Sequence, residues 1–149
     1  MIIKAQVHEA CCQLLREKID VIKKKTDTIS HALLSETKST AGDKHETSRA
    51  MLQLEREQSG LKIAQYLSDL EILKQIDPQN TNTVVASGSL VYTTKLNFYI
   101  AIAMGEIIVN NNQFYAISLK SPIGSLLLGK QKGDKISFRN QTFTILKIE

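Results

Sequence analysis

The sequence predicts an α+β protein: a long antiparallel helical hairpin followed by a small antiparallel sheet with one short helix. Three observations carry this expectation. Between residues 4 and 75 there is no proline, and Gly42 and Gly60 are the only glycines, in a segment dense in Lys, Glu, Gln, Leu and Ala. Those are helix formers. Apolar residues in that segment recur at steps of three and four, the rhythm of a narrow helical seam. After Asp77-Pro78 the texture changes to short β-branched and aromatic runs separated by Asn, Gly and Lys. The expected organisation is a helical hairpin over residues 1–76, its tip near residues 36–46, and a second domain over residues 77–149.

In the first helix, Cys12, Leu15, Ile19, Ile22, Thr26, Ile29 and Leu33 form the seam and predict one helix from about Ala5 to Ser35. The second carries Met51, Leu54, Leu61, Ile63, Leu67, Leu70 and Leu73, with the seam shifting near Gly60 as at a stutter. Ser35 to Gly42, small and polar, reads as the loop between them. Two seams joined by a short polar loop bury themselves by folding back on each other. At about 1.5 Å per residue, arms of roughly 30 residues would reach about 45 Å.

In the second half, Val84-Val85-Ala86, Ser89 to Tyr92, Leu96 to Ala103, Phe114 to Leu119, Lys135 to Phe138 and Phe143 to Ile148 read as strands. Asn110-Asn111-Asn112 reads as a turn. Ser121 to Leu128 reads as a short helix with Ser121 as its N-cap and Pro122 at its first position. A sheet domain of about 70 residues is marginal alone and is expected to lean on the base of the hairpin.

Composition narrows the function. The 149 residues are too few for a large two-domain enzyme. No apolar run approaches the roughly 20 residues of a membrane helix, and no secretory leader is recognisable, so a cytoplasmic protein without membrane contact is expected. Cys11 and Cys12 are adjacent, which suits neither a bridge to each other nor a metal pair; both are expected as buried helix residues. The net charge is +4. Lys23-Lys24-Lys25, however, fans around a helix without aromatic neighbours for base stacking, and reads as a solvated face, with contact to nucleic-acid backbone phosphates as the alternative.

Chemistry is concentrated at the hairpin tip. Asp43 and Glu46, three residues apart at the start of the second helix, fall on one face. Two such carboxylates can share a hard cation such as magnesium, which accepts one or two protein carboxylates and takes its other ligands elsewhere. The same spacing is that of a capping box, in which each acid satisfies a free amide of the first turn. His45 stands between them as a further candidate, whereas His8 and His31 have no partner at metal-ligand spacing. There is no nucleophile elbow, phosphate-cradling glycine loop or His-Glu-x-x-His, so a self-contained hydrolase or transferase is not indicated.

The order of parts resembles a known family. Ser121-Pro122-Ile123-Gly124-Ser125-Leu126-Leu127-Leu128-Gly129-Lys130-Gln131-Lys132-Gly133-Asp134, continuing to Phe143 through Ile148, is similar to the end of the bacterial transcript cleavage factors of the GreA/GreB family. Ala41-Gly42-Asp43-Lys44-His45-Glu46 resembles that family's Gly-Asp-x-x-Glu tip, and Arg56-Glu57-Gln58 its Arg-Glu-Gln. Where the family commonly continues with Asn and then Glu-Tyr, this chain has Thr47, Ser48 and Arg49, and its interval to Arg56 is about two residues longer.

The resemblance implies an FKBP-like C-terminal domain that docks on bacterial RNA polymerase at its secondary channel, with Ser121, Pro122, Ile123 and Gly124 as candidate docking residues. Their other reading is that of cap and turn residues. It further implies that Asp43 and Glu46 are donated to the polymerase active centre, where they help hold a second magnesium ion while the polymerase cleaves the 3′ end of its nascent RNA. The expected protein is then a monomeric accessory factor, not an enzyme by itself. It has no tightly bound cofactor, and shares Mg2+ only with the polymerase. The alternative on the same scaffold is a regulator that occupies the channel and inhibits without promoting cleavage. A prolyl isomerase would need an aromatic-lined proline pocket, and aromatic residues make up only 5% of the chain.

Overall fold

The computed structural model describes residues 2–38 and 43–149. Two helices, α1 (Ile2–Lys38) and α2 (Asp43–Gln75), precede six strands and a short helix: β1 (Leu90–Thr93), β2 (Asn97–Ile100), β3 (Gly105–Val109), β4 (Asn112–Ile117), α3 (Pro122–Leu127), β5 (Lys135–Phe138) and β6 (Gln141–Ile148). By packing the chain divides into two units. One joins residues 1–14 to residues 69–149, and the other is Leu15–Ser68. The change of secondary structure falls instead at Gln75, where α2 ends. No helix among the described residues is long and apolar enough to cross a membrane.

In the helical unit, α1 and α2 run antiparallel, since Ser30 and Leu33 share a cavity with Arg49 and Arg56. The expected α1 seam is the buried one: Leu15, Ile19, Ile29 and Leu33 are buried, with Ile22 and Thr26 half-buried between them. The seam expected on α2 holds at Ile63, Leu70 and Leu73 and is corrected at its other members. Met51, Leu54, Leu61 and Leu67 are 61%, 55%, 74% and 45% exposed. The inward positions are Leu52, Ser59, Ile63, Tyr66, Leu70 and Leu73, which continue one unbroken four-three rhythm through Arg56, without a stutter at Gly60. The loop expected from Ser35 is also corrected, because α1 continues to Lys38. Ser35-Glu36-Thr37-Lys38 contains no residue that breaks a helix. The remainder of that expected loop, residues 39–42, lies outside the described residues.

In the sheet unit the strand order is β3-β4-β2-β1-β6-β5. The expectation of a wholly antiparallel sheet is corrected at one ladder: β2 and β4 pair in parallel, Phe98 opposite Tyr115 and Ile100 opposite Ile117. The sheet is therefore mixed. The parallel ladder follows from the unexpected strand β3, a five-residue edge segment that carries the chain away from β2 and returns it as β4. Val84 makes only an isolated bridge to Gln131, and the expected first strand is absent there.

Both faces of the central strands are covered, which explains the nearly continuous apolar run from Phe98 to Ile102. On one face Val85, Val91, Phe98, Ile100, Leu127, Ile136 and Ile145 form the core, joined by Tyr115, Ile117 and Ile123. On the other lie Leu90, Tyr99 and Phe114, each with no exposure. Tyr99 meets His8 of α1, while Phe114 meets Tyr92 edge to face at 5.9 Å. Cys11 is fully buried, and burial pushes its thiol up to about 12. Asn110 and Asn111, with φ of 51° and 64°, supply the positive-φ pair of a tight hairpin turn between β3 and β4.

Candidate functional site

The sequence-derived acid pair belongs to the helical unit. Asp43 opens α2 and Glu46 completes its first turn, three residues on, so both occupy one side of the helix at its N-terminal end. Unsatisfied amides and the helix dipole favour negative charge there. Glu46 is exposed. The side chains of Asp43, Lys44 and His45 lie outside the described residues. Among the described residues no group of three or more His, Cys, Asp and Glu side chains is gathered as a metal site. Two carboxylates one turn apart are too few for a self-contained magnesium site.

About one to three turns further along α2, Arg49, Gln53 and Arg56 face Ser30, Leu33 and Leu34 of α1 across a cavity of about 320 Å3. Arg56 occupies a seam position that a hairpin of apolar contacts would give to leucine or isoleucine. The guanidinium cannot be buried without a partner, and Arg56 stays exposed. The seam is consequently open at this level. Arg49 was not legible as a cavity residue in the sequence, because its position depends on the phase of α2, which the exposed leucines obscure.

The four candidate docking residues form the start of α3 in the sheet unit. Ser121 is the N-cap: its hydroxyl accepts from the Gly124 amide at 3.1 Å and donates to the Ser118 carbonyl at 2.7 Å. Pro122 stands in the first helical turn with its side chain exposed, as expected. Ile123 is half-buried against the core. Gly124 has no room for a side chain, since a Cβ would lie 2.1 Å from the Ser118 carbonyl oxygen. These residues thus build a tightly closed cap, which leaves Pro122, Ser125 and Leu126 as exposed side chains of this stretch. Asp134 closes the following turn, its carboxylate accepting from the Gln131 amide at 2.7 Å.

Two long-range contacts of the sheet unit were not apparent in the sequence. Lys4, fully buried, donates to the Asn80 carbonyl oxygen at 2.6 Å. His8 hydrogen-bonds Tyr99 at 2.6 Å. Each joins residues more than seventy positions apart. The heptad position of Lys4, two α1 turns before the buried pair Cys11-Cys12, is the only sequence signal that it faces inward.

No protein-family model matches the chain, and no curated protein matches it. Among solved structures it is similar to the crystal structure of GreA factor homolog 1 (Gfh1) of Thermus thermophilus, at 15% identity, covering 93% of this chain and 94% of that one with a TM-score of 0.35. It is likewise similar to a structure of the transcription factor Gfh1, at 18% identity, covering 93% of each chain with a TM-score of 0.36.

Proposed function

We propose that this chain is a Gre-type accessory factor of bacterial RNA polymerase, which docks by its sheet domain at the secondary channel and promotes the polymerase's own cleavage of backtracked RNA. The observation that carries this reading is the carboxylate pair on the first turn of α2, with Glu46 exposed, in a chain whose Ser121-to-Asp134 motif forms an N-capped helix and closed turn.

The residues of this chain have a limited and definite task. Asp43 and Glu46 would hold a magnesium ion from one side, with the polymerase supplying the remaining ligands. Bound there, the ion would help generate and orient an attacking water and stabilise charge on the phosphoryl group, as in two-metal phosphoryl transfer. The helix fixes the spacing of the two acids, so little ordering is left to be done when the site is completed. Lys44, between the acids, would add positive charge beside them where RNA phosphates would pass. On this reading the nucleophile and the rest of the metal shell come from the polymerase complex, and the factor acts as an accessory.

Adding the protein to halted, backtracked elongation complexes tests the reading. Shortening of the RNA from its 3′ end that disappears with Asp43→Asn supports it. Slower nucleotide addition without shortening would replace it by the inhibitory channel regulator, and no effect on polymerase would remove both.

A further inference from the structure

The hairpin seam leaves a second stripe of α2 uncovered. Met51, Leu54, Gln58, Leu61 and Gln65 are all exposed, and they recur at steps of three and four. At about 100° per residue they centre on the side of the helix opposite the inward positions Leu52, Ser59, Ile63 and Tyr66. One helix thus carries two heptad stripes, and the hairpin covers one.

In the heptad of the outer stripe, Met51, Gln58 and Gln65 hold the a positions, and Leu54 and Leu61 the d positions. Ala50, Glu57 and Ala64 flank them as g residues on one side, Glu55 and Lys62 as e residues on the other. All five flanking residues are exposed. Among the described residues neither Glu57 nor Lys62 forms an ion pair; the Lys62 ammonium lies 5.7 Å from the centre of the Tyr66 ring.

We propose that this stripe binds the same stripe of a second copy of the chain, the two α2 helices running parallel about a twofold axis. Like then meets like: Met51, Leu54 and Leu61 form apolar layers, while Gln58 and Gln65 form layers of their own, the Gln58 amides hydrogen-bonding across the axis. Glu57 meets the partner's Lys62, and the symmetry makes that pair once on each side. Glu55 faces only the partner's Ala50. In either antiparallel register that overlaps most of the stripe, Leu54 instead faces a glutamine of the partner. The interface lies within the helical unit and does not depend on the polymerase reading. It replaces the monomer expected from the resemblance.

Sedimentation equilibrium of the full chain tests the proposal. The mass should rise toward that of a dimer as the concentration approaches about 1 mM, the Kd of a weak complex. Leu61→Lys, at an exposed position, should keep the chain monomeric. Glu57→Lys should weaken the dimer about tenfold, because both flanking pairs become like charges, and the Glu57→Lys, Lys62→Glu double variant should restore it. Under mild oxidation Gln58→Cys should cross-link to its own copy, and Lys24→Cys, exposed on α1, should not; Cys11 and Cys12 are buried. A native chain that stays monomeric overturns the proposal, whether the stripe faces solvent or is covered by a different protein. A dimer unaffected by Leu61→Lys, or one in which Gln58→Cys does not cross-link, also overturns it, by placing the contact elsewhere or the helices antiparallel.

Discussion

The imidazole Nδ1 of His8 and the hydroxyl of Tyr99 share a 2.6 Å hydrogen bond between α1 and β2, their rings meeting edge to face with centroids 6.0 Å apart. Burial holds both groups neutral: it lowers His8 below its ordinary 6.5, with Glu9 opposing and Lys4 assisting, and raises Tyr99 above its ordinary 10.0. As pH falls through 6.5 the unfolded chain takes up the His8 proton before the folded one. Stability present above that value is therefore lost between it and the lower folded value, where the loss levels off. Urea midpoints measured between about pH 8 and about pH 5 should fall for the native chain and fall less for His8→Gln. Tyr99→Phe, which leaves a half-buried ring nitrogen unpaired, should cost about 1 kcal/mol near neutral pH. A midpoint whose pH dependence is unchanged in His8→Gln would contradict this role.

Two glycines should respond oppositely to alanine. At Gly124 the new Cβ would lie 2.1 Å from the Ser118 carbonyl oxygen, so the cap of α3 must open. A loss of about 1–3 kcal/mol is expected, the range of overpacked sites. Gly60 lies within α2 with nothing within 4 Å of a built Cβ. Gly60→Ala should stabilise by about 0.5–1 kcal/mol through the helix preference of alanine. Denaturant unfolding of the two variants checks both signs.

The open level of the helical seam at Arg56 predicts that Arg56→Leu stabilises the helical unit by about 1 kcal/mol, filling space beside Leu33 and Leu34. The gain should be read as increased protection of α1 and α2 amides in hydrogen exchange. If the arginine instead bridges the helices by its stem, exchange will accelerate.

The helix pair was readable because an uninterrupted run without proline or isolated turn signals can bury its α1 seam only against another helix. The cap at Ser121-Pro122 was readable because its chemistry is local. What escaped had non-local causes. On α2 the conspicuous leucines Leu54, Leu61 and Leu67 are exposed, whereas Arg56 and Ser59 occupy the inward rhythm, so counting apolar residues finds the inward Ile63, Leu70 and Leu73 but mixes them with outward positions. The parallel β2/β4 ladder depends on where β3 returns, and β3 itself, an edge strand with Glu106 and Ile108 exposed, has a weak pattern. Of the candidate site, the acid spacing was legible. The inward roles of Lys4 and His8 were not, because their partners Asn80 and Tyr99 are remote in the chain.

The central claim is that Asp43 and Glu46 act together at another macromolecule's reacting centre. It is tested most directly by the rate of RNA shortening in backtracked complexes, comparing the native protein with the Asp43→Asn, Glu46→Gln double variant at equal polymerase occupancy. The native protein should stimulate shortening, and the stimulation should fall on the order of a hundredfold in the variant, the scale of removing electrostatic stabilisation from a reaction centre. Equal shortening by the two proteins, or none by either, would contradict it.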